Sequence, residues 1–263
     1  MNYSKYKRVI AFGCSFTNHY YPTWADIIAK CCENAEFINL GRGGAGNQFI
    51  ASRLTQAKAK LHLCDTDLIL VMFSTPYRED RWINGEWKLY GNLYNQSHYD
   101  KKFVNEYTDP VGLLLRDLAT VETAYTFINS LPCDNIILRA SDQSIIEFLK
   151  PHDPHYDRVS ELYTSSILNQ LPIALLPMFY NSVPRMLTSR VIKSRVTGKK
   201  FSDGHPTATD YLNYLQHINI PLTDAAIQYA LDSNRVLLNI EYREDFPEHF
   251  PDISNIHERH GIF

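Results

Sequence analysis

No apolar run in this 263-residue chain approaches the roughly 18 consecutive residues that a membrane-crossing helix needs. The opening Met1-Asn2-Tyr3-Ser4-Lys5-Tyr6-Lys7-Arg8 is polar and leads straight into an apolar strand, without the hydrophobic stretch of a cleavable leader. Both absences lead us to expect a cytoplasmic protein with no membrane partner. An excess of positive charge is also missing: the net charge is -3 and the isoelectric point is near 6.4. No basic footprint is left to neutralise phosphates, so nucleic acid is excluded as an expected partner. The cysteines are few and odd in number, Cys14, Cys31, Cys32, Cys64 and Cys133, with no paired ligand spacing. They read as reduced, buried thiols, and neither a metal nor any other cofactor is implied. Internal repeats and low-complexity segments are absent as well.

What is present is enough apolar material for one sizeable core, 44% of the residues, at the upper end of single-domain length. The stretch that organises the rest is Arg8-Val9-Ile10-Ala11-Phe12-Gly13-Cys14-Ser15-Phe16-Thr17. An apolar run ending in a small-residue turn reads as a buried parallel strand that delivers a serine at its carboxyl end, where open α/β sheets bind ligands. A helix follows at 24–30, with Pro22 and Thr23 as its start signal. A strand at 36–40 and a glycine-rich turn come next. Phe49, Ile50, Leu54, Ala57 and Leu61 then recur at helical spacing to about residue 63. Continuous apolar character over 66–73 marks a strand covered on both faces, completing a βαβαβ pattern. An aromatic-rich insertion at 77–107 breaks the rhythm without clear periodicity. Beyond it we expect a helix over 110–131, a strand over 135–140 and a helix over 156–169. A short strand or buried loop is expected at 171–179, a helix with Pro206 in its first turn, another helix over 224–231, and an irregular tail.

Ser15 is the candidate nucleophile. A serine hydroxyl needs a base to accept its proton and a group to orient that base, and Asp203-Gly204-His205-Pro206 supplies both. Neighbouring residues of an extended strand face opposite ways, so Ser15 at the mouth implies a buried Cys14.

Three segments in order carry a family resemblance. Gly13-Cys14-Ser15-Phe16-Thr17 resembles the first block of the SGNH (GDSL-type) hydrolases, with Cys14 where the family has an aspartate. Asn39-Leu40-Gly41-Arg42-Gly43-Gly44-Ala45-Gly46-Asn47 resembles the second block, and Asp203-Gly204-His205-Pro206 the last. The resemblance implies a three-layer α/β/α sandwich with a central parallel sheet, of flavodoxin-like topology, over about 1–220. Residues 221–263 would add a helix and a tail packed on the same domain. It also implies an acyl-serine mechanism, with Ser15 as nucleophile, His205 as base and Asp203 as orienting acid. The amides of Ser15 and Gly44 would form the oxyanion hole, and Asn47 would either cap its helix or donate from its side chain.

Two departures stand out. The family has one more residue between acid and histidine, and it places an asparagine after the third strand where this chain has Ser74-Thr75-Pro76-Tyr77-Arg78. Ser74 or Thr75 is left to supply a hydroxyl instead, while Thr75, Arg78 and Trp82 are expected to meet substrate. Losing one such donor costs on the order of 3 kcal/mol in the transition state, which implies a slow or specialised enzyme.

A rival use of the glycines exists, since Gly41, Gly43 and Gly46 formally match a dinucleotide fingerprint. That fingerprint needs an acidic residue at the end of the next strand, where this chain has Phe73-Ser74-Thr75. His152-Asp153-Pro154-His155 and His257-Glu258-Arg259-His260 match metal-ligand spacing only loosely and read as solvated loops. The sequence therefore points to a serine esterase. Its substrate would be a small-molecule or glycan ester, because aromatic faces among polar groups suit sugar rings. Acyl transfer to a sugar hydroxyl is the first alternative, and a non-catalytic binding or assembly protein on the same fold is the second.

Overall fold

The computed structural model describes residues 1–93, 99–140, 156–171 and 190–250. Four parallel strands form the central sheet: β1 (Arg8–Phe12), β2 (Glu36–Asn39), β3 (Asp67–Phe73) and, later in the chain, β6 (Asp134–Arg139), in the order β2-β1-β3-β6. Every residue of β3 is buried, as a central strand covered on both faces requires.

Period-two alternation divides the sheet between two cores. Val9, Ala11, Leu68, Leu70, Met72, Ile136 and Leu138 share one core with Trp24 and Ile28 of α1 (Trp24–Lys30). Tyr211 and Leu215 of a late helix and Ala226 and Ala230 of the next complete it. On the other face Ile10, Phe12, Ile38, Ile69, Val71, Phe73 and Ile137 pack on Ile50 and Leu54 of α2 (Asn47–Leu61). Leu114, Val121 and Ile128 of α4 (Pro110–Asn129) close that side. The fold is a three-layer α/β/α sandwich with a flavodoxin-like strand order.

The aromatic insertion has more order than its composition suggests. It contains an antiparallel hairpin, β4 (Arg78–Ile83) and β5 (Glu86–Asn92), and a short helix α3 (Lys101–Tyr107). Asn84 and Gly85 link the two strands, both at positive φ, the arrangement that an Asn-Gly pair favours in a two-residue hairpin turn. After α5 (Tyr156–Ser165) and α6 (Ile167–Gln170), a second hairpin pairs β7 (Arg190–Lys193) with β8 (Lys200–Asp203). It was not expected from the sequence.

The helix after Pro206 is α7 (Ala208–His217), capped by Thr207 with Asp210 as its reciprocal partner. Pro206 therefore lies before the cap rather than in the first turn, because the threonine side chain supplies the better start. Helix α8 (Asp224–Asn239) is longer than expected, and a 3₁₀ turn (Arg243–Asp245) and α9 (Phe246–His249) order the start of the tail. The possible strand at 171–179, the 152–155 stretch and the tail from 251 lie outside the described residues, apart from buried Leu171. Among the described residues no helix is long and apolar enough to cross a membrane.

Candidate active site

The turn after β1 is tight: the Cys14 carbonyl accepts from the amides of Thr17, at 2.9 Å, and Asn18, at 3.1 Å. Cys14 is fully buried and Ser15 half-buried. This turn is laced to the glycine-rich turn. Asn18 Nδ2 donates to the Gly41 carbonyl and Asn39 Nδ2 to the Thr17 carbonyl, each at 2.8 Å, and the Arg42 amide donates to the Gly13 carbonyl at 3.0 Å.

Asp203 ends β8, and the single intervening residue still lets it reach the imidazole. Its Oδ1 lies 2.8 Å from His205 Nδ1 and accepts the His205 amide at 3.0 Å. Oδ2 accepts the Tyr21 hydroxyl at 3.0 Å and faces His19 Nε2 at 3.4 Å. Burial alone would raise the Asp203 pKa. The hydrogen bonds of His19 and His205 prevail and hold the carboxyl far below the ordinary carboxylate range. An ionised Asp203 bound to Nδ1 keeps Nε2 of His205 as the nitrogen that takes a proton. The shorter turn therefore does not separate acid from imidazole.

Phe16, next to Ser15, has its ring centroid 5.4 Å from that of His205. This ring contact brings the serine-bearing segment beside the imidazole, although their positions in the chain are far apart. Among the described residues no hydrogen bond joins the Ser15 hydroxyl to His205; catalytic hydrogen bonds often close only when substrate binds.

The solved structures to which this chain is similar include two of G-D-S-L type. One is a member of the lipolytic G-D-S-L family from Veillonella parvula, 14% identical over 82% of this chain and 99% of that one, with a TM-score of 0.43. Another is a GDSL-like lipase from Bacteroides thetaiotaomicron, 12% identical over 86% of this chain and 88% of that one, with a TM-score of 0.38. Both likenesses are remote in sequence and in backbone. No protein-family model matches the chain, and neither does any curated protein.

Gly44 lies at φ +80°, and a Cβ there would meet the Leu89 carbonyl oxygen at 2.4 Å. The β5 strand thus runs directly over the glycine-rich turn. Cys14, Ala45 and Phe49 form one apolar cluster with Phe16, Trp87 and Leu89.

Asn47, the first residue of α2, has its side-chain amide fully engaged. It donates to the Ser74 carbonyl at 3.0 Å and to Asp117 at 2.6 Å, and accepts the Ser74 amide at 2.7 Å. No side-chain amide hydrogen of Asn47 is left for a substrate, so the side chain locks the end of β3 to α2 and α4 rather than donating to an oxyanion. Ser74 Oγ is buried with no partner among the described residues. Arg78 donates to the Ala45 carbonyl at 2.9 Å, which ties the hairpin to the turn. Thr75 is half-buried beside Ser74, and Trp82 is 60% exposed, edge-on to Trp87.

Sequence reasoning missed four residues around this site: His19, Tyr21, Asp80 and Asp117. Asp80 accepts the amides of Gly46 and Phe49 at 2.8 and 2.9 Å and so caps α2 from the hairpin. Burial pushes Asp117 up to about 7, against the opposing Arg116 charge and the Asn47 hydrogen bond. The His19 ring stacks on His205 at 4.0 Å with only 22° between the planes. Together with Asp203 the two histidines have ligand atoms within 4.8 Å of one another. A shared metal ion would have to lie near both ring planes, along both nitrogen lone pairs. Nearly parallel stacked rings do not point at one such place, so this cluster fits an acid–base arrangement better than a coordination site.

Proposed function

We propose that the protein is a serine hydrolase of the SGNH type that cleaves an ester through an acyl-serine intermediate. Ser15 Oγ attacks the ester carbonyl while His205 Nε2 takes its proton, and the same nitrogen returns the proton to the departing alcohol. Asp203 holds the imidazole by Nδ1 and balances its charge. The amides of Ser15 and Gly44 face the developing oxyanion. Water then cleaves the acyl-serine. The observation that carries this reading is the Asp203–His205 hydrogen bond at 2.8 Å, beside the segment that bears Ser15.

The hairpin over the glycine-rich turn supports an acylated carbohydrate as substrate class. Trp82 and Tyr90 are exposed on it, at 60% and 39%, and aromatic side chains suit sugar rings.

A fluorophosphonate probe tests the nucleophile. The expected result is a single adduct on Ser15, with 4-nitrophenyl acetate hydrolysis falling by roughly a thousandfold or more in Ser15→Ala and His205→Ala. An unlabelled Ser15 in folded protein, with hydrolysis unchanged in Ser15→Ala, sinks the proposal. Adding a sugar alcohol separates the two enzymatic outcomes, because acyl transfer yields an acylated sugar at the expense of free acid.

A further inference from the structure

A cavity of about 180 Å³ opens beside the Asp203–His205 pair, walled by His19, Tyr20, Ile192, Arg243 and Phe246. Its volume is on the order of six water molecules, room for a small head group and a few carbons. Ile192 and Phe246 are apolar and buried, so the polar character comes from the rim.

There the guanidinium of exposed Arg243 lies 4.6 Å from the centre of the Tyr20 ring and donates to the Tyr20 hydroxyl. Among the described residues no carboxylate pairs with Arg243. The two acids that follow it face elsewhere. Glu244 accepts from the Ser194 hydroxyl at 2.6 Å and the Arg195 amide at 3.1 Å, and Asp245 pairs with the Arg195 guanidinium. The other charge on the cavity wall, Asp203, is already met by His205, Tyr21 and His19, and its side chain is 10% exposed. A cation stacked in place beside the acid–base pair, with donors to spare, is suited to an anion.

We infer that this cavity is a subsite for a negatively charged substituent of the substrate, a carboxylate or a phosphate, with Arg243 as its counter-ion. The inference rests on the ester-cleaving reading above and narrows it to esters that carry an anionic group close to the scissile bond.

Three aryl acetates of nearly one shape test it on the full-length protein: 4-acetoxybenzoate, its neutral methyl ester, and 4-acetoxyphenyl phosphate. We expect kcat/KM for at least one anionic ester to exceed that for the neutral one by about tenfold or more. Arg243→Leu should bring that ratio down by about tenfold, and Arg243→Lys should restore part of it. Which anion is preferred distinguishes carboxylate from phosphate, and either preference supports the subsite. Calorimetric titration of 4-hydroxybenzoate and of 4-hydroxyphenyl phosphate into Ser15→Ala reads the cavity without turnover. Saturable binding of one of them should disappear in Ser15→Ala/Arg243→Leu. A ratio near one, or one that Arg243→Leu leaves unmoved, overturns the subsite, as does the absence of saturable binding. If no ester is cleaved while Arg243-dependent binding persists, the hydrolase reading falls and the anion site stands.

Discussion

Two glycines of the candidate site differ sharply in what their backbone demands. Gly44 sits in the left-handed region and under the Leu89 carbonyl, whereas Gly204 meets nothing within 4 Å where a Cβ would go and has no positive φ. Gly44→Ala should therefore cost about 1–3 kcal/mol and disturb the Gly44 amide, while Gly204→Ala should stay within about 1 kcal/mol of wild type. Urea melts of the two variants check this, and equal costs would refute it. Gly204 between Asp203 and His205 is therefore not what makes the turn possible. In fact the turn is held by the two hydrogen bonds to Asp203 Oδ1.

Asp117 makes a pH prediction. Its folded pKa, about 7, lies above the ordinary value of 3.8. Between those values the folded chain holds a proton that the unfolded chain has released, so this group's contribution falls as pH rises through the window and levels off above it. Asp117→Asn keeps an acceptor for Asn47 without the titration. Its stability relative to wild type should rise from pH 4 to pH 7, by at most roughly 4 kcal/mol over about three pKa units. A difference that stays flat, or falls, across that range in denaturant titrations would contradict the assignment.

At the scale of elements, the β4–β5 hairpin is the piece that turns a generic sandwich into this site. Asp80 reaches from it to the free amides at the start of α2, and Arg116 of α4 clamps it through Glu79 and the Arg78 carbonyl, each at 2.8 Å. Asp80→Ala would leave two helix-start amides without their acceptor, and we expect a loss of about 1–2 kcal/mol with faster amide exchange at Gly46 and Phe49. Burial raises the Asp80 pKa, so a net gain in stability on substitution would mean that the charge's burial outweighs the cap. The hairpin was legible in part: Asn84-Gly85 between two tryptophan-bearing runs is a strong local turn signal, but the flanking strands are mostly half-buried or exposed and show no clean period-two alternation. Its docking onto the glycine-rich turn was not legible, because contacts between Asp80 and Gly46 leave no periodic trace in either segment.

The whole molecule decides where the acid–base pair lies. The backbone of Lys193 in β7 donates to Glu241 at 2.9 Å, and β7 in turn pairs with β8, which ends in Asp203. Tyr21, Ile192, Leu237, Ile240, Phe246 and Phe250 form one small core behind the histidines. The carboxyl-terminal segment thus builds a wall of the site rather than lying idle over the surface. Phe246, 1% exposed, is its centre. Phe246→Ala should cost about 3–5 kcal/mol in equilibrium unfolding, and a loss below about 1 kcal/mol would detach this core from the fold's stability.

Hydrophobic periodicity by itself determined the alternation of buried strands and amphipathic helices at the start of the chain, because burial on both faces of a parallel sheet leaves continuous apolar runs that any local window detects; the sandwich came from the family resemblance of three short segments. Local chemistry likewise marked Ser15, Asp203 and His205 as the groups to watch. Only the tertiary structure decided that Asn47 is a lock rather than a donor, that His19 stacks on His205, and that Arg243 turns toward the same cavity. Those outcomes depend on which distant side chains compete for each hydrogen bond and each face, and that competition is settled when the layers pack.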